Sequence, residues 1–303
     1  REVAFISAST VGGMDVSERN FTVWTTGAAP EQAALATLHP VGHHARQVAR
    51  MLGLGGLVAT ISTACSSSAN ALMFGADLIR AGRATKVLAG GADALCGFTI
   101  AGFRALGAMD PEPSRPFTNT RNGLNLGEAA AYLMLEPLDD ALREGRRPLA
   151  MLVGHANRND AHHITATSPE GRGPYLAMSD ALRHAGLSPH DVDHINAHGT
   201  GTANNDSTEL TAIERLFPLV PPFCSTKALT GHTLGAAGAL EAVFSVLSIV
   251  HGFIPAGASA YVPLEGHRAM PNNACIQASV RTVLSNSFGF GGNDSALVFT
   301  AAA

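Results

Sequence analysis

Short apolar segments alternate with longer amphipathic segments along most of the chain. Residues 57–63 and 86–91 are rich in small and β-branched residues and predict strands, and the amphipathic segment 66–82 between them predicts a helix. A strand, a helix and a second strand in such quick succession predict a βαβ unit, with the two strands in parallel. A further strand is predicted over residues 129–135.

A polar segment separates this pattern from a second one. Residues 137–147 carry Asp139 and Asp140 early and three arginines late, the charge order that favours an exposed helix through its dipole. We therefore place a domain boundary here, with an N-terminal domain over residues 1–137 and a C-terminal domain over residues 148–303.

The order of elements repeats after the boundary. The predicted elements are strand 149–156, helix 172–185, strand 192–197, helix 206–217, strand 222–225, helix 234–251 and strands 275–285 and 294–300. Each half therefore has a helix rich in glycine and alanine at its centre, 66–82 in the first and 234–251 in the second. The sequence predicts an α/β fold with two similar halves.

Composition excludes several classes of protein. Hydrophobic residues make up 46% of the chain and charged residues 15%, which favours a packed core over disorder or a coiled coil. The net charge of -4 gives no basic surface for nucleic acid. The longest apolar stretch, 234–254, is interrupted by Glu241 and His251, so we expect a buried helix and no membrane span. Four widely spaced cysteines and no visible signal peptide lead us to expect a cytoplasmic protein.

Cys65 stands where a predicted strand ends and a predicted helix begins. A thiol in this position lies in the positive field of a helix N-terminus, which lowers its pKa and favours the reactive thiolate. Two histidines far along the chain also lie in turns of small residues, His198 in His198-Gly-Thr-Gly-Thr202 and His232 in Lys227-x-x-x-Gly-His232. This combination suggests a single site gathered from distant segments.

Metal and nucleotide chemistry are less well supported. The pairs His43-His44 and His162-His163 have adjacent side chains that point different ways, with no third ligand at a suitable spacing, so we expect no metal site. No complete dinucleotide-binding glycine motif or Walker A motif is present.

Four motifs, in the same order, resemble those of the β-ketoacyl-acyl-carrier-protein synthases, the decarboxylating condensing enzymes of fatty-acid and polyketide synthesis. They are Thr63-Ala-Cys65-Ser-Ser-Ser68, His198-Gly-Thr-Gly-Thr202, Lys227-x-x-x-Gly-His232 and Asn286-Ser-Phe288-Gly-Phe290-Gly-Gly-Asn293. The resemblance extends from Val11 to Phe299. It implies a thiolase-like fold, with two paired helices between two sheets in a layered α/β/α/β/α arrangement. Family members usually have further chain ahead of this point, so we expect the N-terminal half to be incomplete.

The resemblance also implies roles for the motifs. Cys65 takes an acyl chain from phosphopantetheine, and the backbone N–H groups of Cys65 and Phe290 hold the thioester oxygen. His198 and His232 each present an N–H to the thioester oxygen of the malonyl group as carbon dioxide leaves. Phe290 is the gate between acyl and malonyl binding, with Phe288 beside it.

Supporting residues and partners follow from the same resemblance. Lys227 and Glu241 are expected to pair, because a charge in so apolar a stretch needs a partner. In similar synthases the matching lysine orients the active-site histidine and the water network, so Lys227 is expected to be a supporting residue and not a base. Thr200 and Thr202 resemble threonines that bind the pantetheine arm. No separate cofactor is implied, because the acyl carrier protein, the expected partner, carries the phosphopantetheine. A dimer is implied, either with an identical chain or with a related ketosynthase subunit.

Departures from the family motifs leave the substrate open. After Arg121, residues 122–128 are Asn-Gly-Leu-Asn-Leu-Gly-Glu, where the family usually has Asp-Gly-Phe/Met-Val-Leu-Gly-Glu. A second departure is Asp294, which changes the end of the usual Gly-Gly-Thr-Asn turn. These features and residues 10–15 resemble condensing enzymes of specialised pathways such as aryl polyenes. Two alternatives stay open: a noncatalytic chain-length-factor subunit, although such subunits generally lack the cysteine, and a thiolase-like enzyme that uses coenzyme A.

Overall fold

A computed structural model of the chain describes residues 2–27, 29–258 and 262–302. The strands within these ranges are β1 Ala4–Ala8, β2 Val58–Ile61, β3 Val87–Asp93, β4 Ala129–Leu135, β5 Met151–Asn159, β6 His194–Asn196, β7 Phe223–Cys224, β8 Phe253–Ile254, β9 Ile276–Gln277, β10 Thr282–Gly289 and β11 Asn293–Thr300. The α-helices are α1 Met14–Gly27, α2 Pro30–Ala34, α3 His43–Leu52, α4 Ser67–Arg80, α5 Gly97–Ala105, α6 Leu138–Arg143, α7 Arg172–Ala185, α8 Ala203–Leu216, α9 Lys227–Thr230 and α10 Ala237–His251.

The strands form two larger sheets with matching arrangements. The first sheet has the order β2-β1-β3-β4, in which β1 is parallel to β2 and β3, and β4 is antiparallel to β3. The second has the order β5-β11-β10-β6-β7, in which β6 is parallel to β7 and β10, and β11 is antiparallel to β10. The predicted α/β fold with two similar halves is therefore confirmed.

The predicted parallel arrangement of the strands on either side of α4 is confirmed, but the two strands do not pair with each other. β2 and β3 are parallel, but β1 lies between them and pairs with both. A strand from the start of the chain therefore completes the unit, and the local pattern around α4 carries no information about that insertion.

Helices α4 and α10 lie against each other between the two sheets. A Cβ at Gly238 of α10 would lie 2.8 Å from the backbone nitrogen of Ala69 in α4, and Ser68 Oγ accepts a hydrogen bond of 2.8 Å from the N–H of Ala239. Small residues are required for such a close approach of two helices. With α3 on the outer face of the first sheet and α7 against the second, the predicted α/β/α/β/α layering is confirmed.

The stretch Leu234–His251 is, among the described residues, the one helix long and apolar enough to cross a membrane, and 61% of it is buried inside the protein. It begins as a 3₁₀ turn, Leu234–Ala236, and continues as α10. It packs on β10 and β4, one strand from each sheet, so its apolar surface belongs to the core, as predicted.

Several elements differ from the predicted ones. The pattern predicts no helix between residues 14 and 56, where the structure has α1, α2 and α3, and none at α5. Helix α1 has no fully buried residue, and its apolar side chains are at most half-buried, so its apolar stripe is a weak signal. The predicted strand 275–285 is two strands, β9 and β10. The polar segment 137–147 contains α6, and the division into two domains there stays a prediction.

Candidate active site

Cys65 lies in a tight turn between β2 and α4. Ala64 has a φ of +53°, a left-handed conformation that non-glycine residues seldom adopt. Ser67 supports the turn, because its hydroxyl accepts a hydrogen bond of 2.8 Å from the N–H of Thr63 and donates one of 2.5 Å to the carbonyl of Ala64. This turn presents the thiol at the beginning of α4, where the sequence places it.

Two backbone N–H groups, those of Phe290 and Cys65, point at the Cys65 sulfur. Phe290 reaches this position because the preceding residue is glycine. A Cβ at Gly289 would lie 3.0 Å from the carbonyl oxygen of Thr63 and 3.3 Å from the nitrogen of Cys65. The absence of a side chain therefore lets the two segments approach closely enough to form a pair of donors.

The Cys65 side chain is a thiol at neutral pH. Burial raises its pKa to about 11, although Lys227 and the N–H groups of Phe290 and Cys65 lower it in part. The predicted lowering of this pKa was wrong, because the prediction weighed the helix terminus and not the desolvation of a thiolate that is 7% exposed.

The imidazoles of His198 and His232 meet the thiol of Cys65. One ligand atom from each of the three side chains lies within 4.8 Å of the others, and the two rings are edge to face with centroids 5.5 Å apart. Both imidazoles are neutral at pH 7, since burial lowers their pKa values well below the usual range, with Lys227 adding to the effect. The three side chains predicted to share a site are therefore brought together.

Hydrogen bonds fix which nitrogen of each imidazole carries the proton. His232 Nδ1 accepts a hydrogen bond of 3.2 Å from the N–H of Leu234, and its Nε2 is buried without a partner in the described part of the chain. His198 Nδ1 lies 3.2 Å from Lys227 Nζ, a donor. A neutral imidazole that accepts at Nδ1 carries its hydrogen on Nε2, so both rings have a free N–H for a ligand.

Lys227 and Glu241 form the predicted ion pair, with each residue 3% exposed or less. Lys227 Nζ also donates a hydrogen bond of 2.6 Å to the carbonyl oxygen of His198. Neither residue lines the cleft at Cys65; both lie behind His198. This placement suits a supporting role, which stays a prediction.

A cleft of ≈ 360 Å³ contains the other predicted residues. Those that line it are Cys65, His198, Thr200, Thr202, His232, Phe288 and Phe290. Thr200 and Thr202 share a hydrogen bond of 2.9 Å between their hydroxyls. The cleft therefore joins the thiol and both imidazoles to the threonine turn in one continuous space.

The two predicted aromatic residues have different surroundings. Phe290 is 38% exposed and stacks on Phe103 of α5, with ring centroids 5.9 Å apart. Phe288 is buried and packs against the His198 ring at 5.7 Å. Phe290 therefore lies at the exposed rim of the cleft and Phe288 in its wall beside His198, and the role of Phe290 as a gate stays a prediction.

Sequence reasoning missed Glu209, which lies beneath His198. Its carboxyl accepts hydrogen bonds of 2.8 Å from the N–H groups of His198 and Gly199, and one of 3.1 Å from Asn286. Burial raises its pKa to about 7. Asp206, one turn earlier, similarly accepts from the N–H of Gly201 at 3.1 Å. The sequence signal that could have revealed these two residues is a pair of acidic residues one helical turn apart, directly after the His198 motif.

Sequence reasoning also missed Asp93, at the end of β3. Its carboxylate accepts hydrogen bonds from Ser9, Thr10, Val11 and the N–H of Gly235, the last at 2.7 Å. Gly235 follows the segment that orients His232, so Asp93 holds that segment against the first sheet. No local pattern marks this residue.

The His43-His44 and His162-His163 pairs form no ligand group in the ranges that the structure describes; the group found there is Cys65, His198 and His232. A thiolate and two imidazoles are ligands that zinc accepts. The absence of a metal site therefore stays a prediction.

Comparison with known proteins agrees with this geometry. Residues 10–141 match the family model of the beta-ketoacyl synthase N-terminal domain, and residues 149–260 match that of the C-terminal domain. The chain is also 37% identical over 295 residues to nodulation protein E of Rhizobium meliloti (strain 1021), which covers 95% of this chain and 73% of that protein. The chain belongs to the β-ketoacyl synthase family.

One further relative and one solved structure are also similar to this β-ketoacyl synthase chain. It is 40% identical over 252 residues to the mitochondrial 3-oxoacyl-[acyl-carrier-protein] synthase of Arabidopsis thaliana, with 78% of this chain and 55% of the relative covered. The ishigamide ketosynthase/chain length factor has the same fold, with a TM-score of 0.90 and 34% identity over 100% of this chain and 76% of that one. The thiolase-like fold is therefore confirmed. The chain spans 55% of the length of the Arabidopsis relative.

Proposed function

We propose that the protein catalyses a decarboxylative Claisen condensation between an acyl group held on Cys65 and a malonyl group on an acyl carrier protein. The observation that carries the proposal is the shared cleft, in which one sulfur, two backbone N–H donors and two imidazole N–H donors face the same space. Each of these groups has a use in the two half-reactions.

In the first half-reaction, the Cys65 sulfur attacks the carbonyl of an acyl thioester. The oxygen becomes negatively charged in the tetrahedral intermediate, and the N–H groups of Cys65 and Phe290 stabilise it by a few kcal/mol each at most. The bond to the pantetheine sulfur then breaks, and the thiol proton of Cys65 ends on that sulfur. The products are an acyl-Cys65 thioester and a free pantetheine thiol.

In the second half-reaction, the malonyl carboxylate leaves as carbon dioxide, and its electron pair forms an enolate. The negative charge lies on the thioester oxygen, which accepts hydrogen bonds from Nε2–H of His198 and His232. The enolate carbon attacks the acyl-Cys65 carbonyl, a carbon–carbon bond forms, and the sulfur of Cys65 leaves and takes a proton from water. Neutral imidazoles suit this step, because they donate without protonating the enolate carbon.

The cleft suits a substrate on a long arm. Thr200 and Thr202 line its wall, where their hydroxyls can bind the amide groups of phosphopantetheine. The Arabidopsis relative's name includes the acyl carrier protein as substrate, and we propose the same partner for this chain. Phosphopantetheine enters as part of that substrate, so no resident cofactor takes part in the scheme.

We also propose that the protein works as a dimer. Strand β2 is at the edge of the first sheet, with no strand of the described ranges on its outer side, and its four residues are half-buried. It ends just before the turn of Cys65, so a partner along this edge would lie next to the nucleophile. The ishigamide relative is described as a ketosynthase/chain length factor, which favours a related subunit as one candidate for this partner.

Mass spectrometry of the intact protein tests the first half-reaction. After mixing with acyl-loaded carrier protein, we expect the mass to rise by one acyl group, and after addition of malonyl-loaded carrier protein we expect carbon dioxide and a β-ketoacyl product. Cys65→Ala should show neither the acyl adduct nor the condensation product. Cys275→Ala is the matched control, because Cys275 is exposed and lies outside the cleft.

An unmodified Cys65 would favour one of the two open alternatives, a noncatalytic chain-length-factor subunit. That result would require the same assay to be repeated in the presence of a ketosynthase partner. Acylation of the partner and not of this chain would then contradict our proposal.

A further inference from the structure

Three asparagine side chains meet behind Cys65, where the two halves of the molecule join. Asn70 belongs to α4, Asn157 to β5 and Asn293 to the first position of β11. Asn293 Oδ1 accepts hydrogen bonds of 2.9 Å from Asn70 Nδ2 and 2.7 Å from Asn157 Nδ2. The hydroxyl of Ser66 lies 2.7 Å from the same oxygen and 2.7 Å from the carbonyl oxygen of Thr63, so its one hydrogen is shared between these two acceptors.

The amides are oriented by one another and by nearby hydroxyls. Asn157 Nδ2 also donates to Asn70 Oδ1 at 3.0 Å and to Ser295 Oγ at 2.8 Å. Asn70 Nδ2 donates to Thr63 Oγ1 at 2.8 Å. The Asn70 and Asn157 amides therefore each donate to several neighbouring oxygens. Asn293 Oδ1 is the acceptor that both amides share.

The Asn293 side chain is connected to both backbone donors of the proposed oxyanion site. Ser66, one of its three partners, directly follows Cys65 in the chain. Asn293 itself is the strand partner of Gly289, so it closes the turn of residues 290–292 that carries the N–H of Phe290. A single oxygen atom therefore ties the turn of one donor to the turn of the other.

We propose that Asn293 is a positioning residue for the oxyanion site: its side-chain oxygen fixes the separation between the N–H groups of Cys65 and Phe290. The inference rests on the proposed function, in which both groups donate to one thioester oxygen. Donors of this kind act only when they are held at hydrogen-bond distance from the developing charge, so a small displacement of the Phe290 turn is costly.

Replacement of Asn293 by leucine tests this role. Leucine has almost the same size and shape but no acceptor, so three donors lose their common partner and the Phe290 turn is released. We expect acylation of Cys65 by acyl-loaded carrier protein to slow by about 10- to 100-fold. Alkylation of Cys65 by iodoacetamide should slow by a smaller factor than acylation, because the Phe290 N–H affects alkylation only through the pKa of the thiol, whereas acylation also loses a donor to the developing oxyanion.

Asn293→Asp is the conservative variant for comparison with Asn293→Leu. It keeps an oxygen that can accept from all three donors, so acylation should stay within about 3-fold of the original rate. If the aspartate variant is slowed as much as the leucine variant, the acceptor oxygen is not the cause and the proposal is wrong. It is equally wrong if Asn293→Leu leaves acylation unchanged, or slows acylation and alkylation to the same extent.

Ser66→Ala provides a test that does not depend on the stability of the leucine variant. It removes one of the three donors and should slow acylation selectively, by about 3- to 10-fold; an unchanged ratio of acylation to alkylation would contradict the proposal. Failure of the proposed function is recognised separately, by unmodified parent protein that iodoacetamide still labels at Cys65. An N-acetylcysteamine thioester then replaces the carrier protein, since its acyl transfer to Cys65 needs the same two donors.

Discussion

Lys227 donates a hydrogen bond of 2.6 Å to the carbonyl oxygen of His198, and its Nζ lies 3.2 Å from Nδ1 of the same residue. The contact to Nδ1 keeps the imidazole hydrogen on Nε2, where it faces the cleft. Replacement of Lys227 by methionine leaves Nδ1 free to carry the hydrogen. We expect release of carbon dioxide from malonyl-loaded carrier protein to slow by about 100-fold or more, as for other active sites with a wrong histidine tautomer.

Loss of stability is separated from this effect by a second variant. Lys227→Met alone leaves Glu241 buried without its partner, which costs about 3 to 5 kcal/mol. Lys227→Met combined with Glu241→Gln removes both charges and should recover most of that stability in urea unfolding, while decarboxylation stays slow. Lys86→Met, at a surface lysine, is the control. Decarboxylation at the original rate in the double variant would contradict the role given to Lys227.

Asp93 is expected to contribute strongly to stability. Its two oxygens accept hydrogen bonds from several donors that include the N–H of Gly235, and the residue is 5% exposed. Asp93→Asn places an NH₂ group where an N–H already points, so the buried donor loses its acceptor. We expect the free energy of unfolding in urea to fall by about 2 to 4 kcal/mol.

Asp139→Asn is the matched control for this measurement, because Asp139 is exposed. It should change the free energy of unfolding by about 0.5 kcal/mol or less. Equal effects of the two substitutions would mean that the contacts of Asp93 add nothing to the stability of the fold.

The sequence predicts those parts of the fold that depend on neighbours along the chain. Helix α7 and strand β4 occupy the predicted residues 172–185 and 129–135, because each has a regular pattern of apolar positions. Helix α1 was missed since none of its residues is fully buried. The position of β1 between β2 and β3 was missed as well, since no local pattern encodes the order of strands in a sheet.

The same limit applies to the active site. Motifs identify Cys65, His198 and His232, and the structure brings them together. The pKa of Cys65 was predicted in the wrong direction, because burial results from the packing of the whole molecule. Asp93 and Asn293 act through contacts with residues far away in sequence, at Ser9 and Ser66, so only the folded structure reveals them.

Asp294 makes stability depend on pH. It is fully buried, and neither carboxyl oxygen has a hydrogen-bond partner among the described residues. Burial raises its pKa to about 8, with Asp160 and Glu209 adding to the rise. The folded protein therefore keeps a proton here that the unfolded chain releases above about pH 4. Because the folded state binds more protons, stability falls as pH rises from about 4 to 8, by about 1.4 kcal/mol per pH unit from this residue.

Asp294→Asn removes this dependence, since asparagine is neutral at every pH. The free energies of unfolding of the variant and the parent protein should be measured in urea at pH 5 and pH 7.5. The difference between them should shift in favour of the variant as pH rises. Parallel pH profiles of the two proteins would show that Asp294 has the same pKa in the folded and unfolded states.

Alkylation of Cys65 should report its raised pKa. With a pKa of about 11, roughly one thiol in ten thousand is ionised at pH 7, and this fraction rises tenfold with each pH unit up to about pH 10. The rate of labelling by iodoacetamide, followed at Cys65 by mass spectrometry in a Cys275→Ala background, should therefore increase through this range without a plateau. Lys227 lowers this pKa, so Lys227→Met should slow the labelling further at each pH. A plateau below pH 8 would instead mean that the helix N-terminus outweighs burial and that the protein rests as a thiolate.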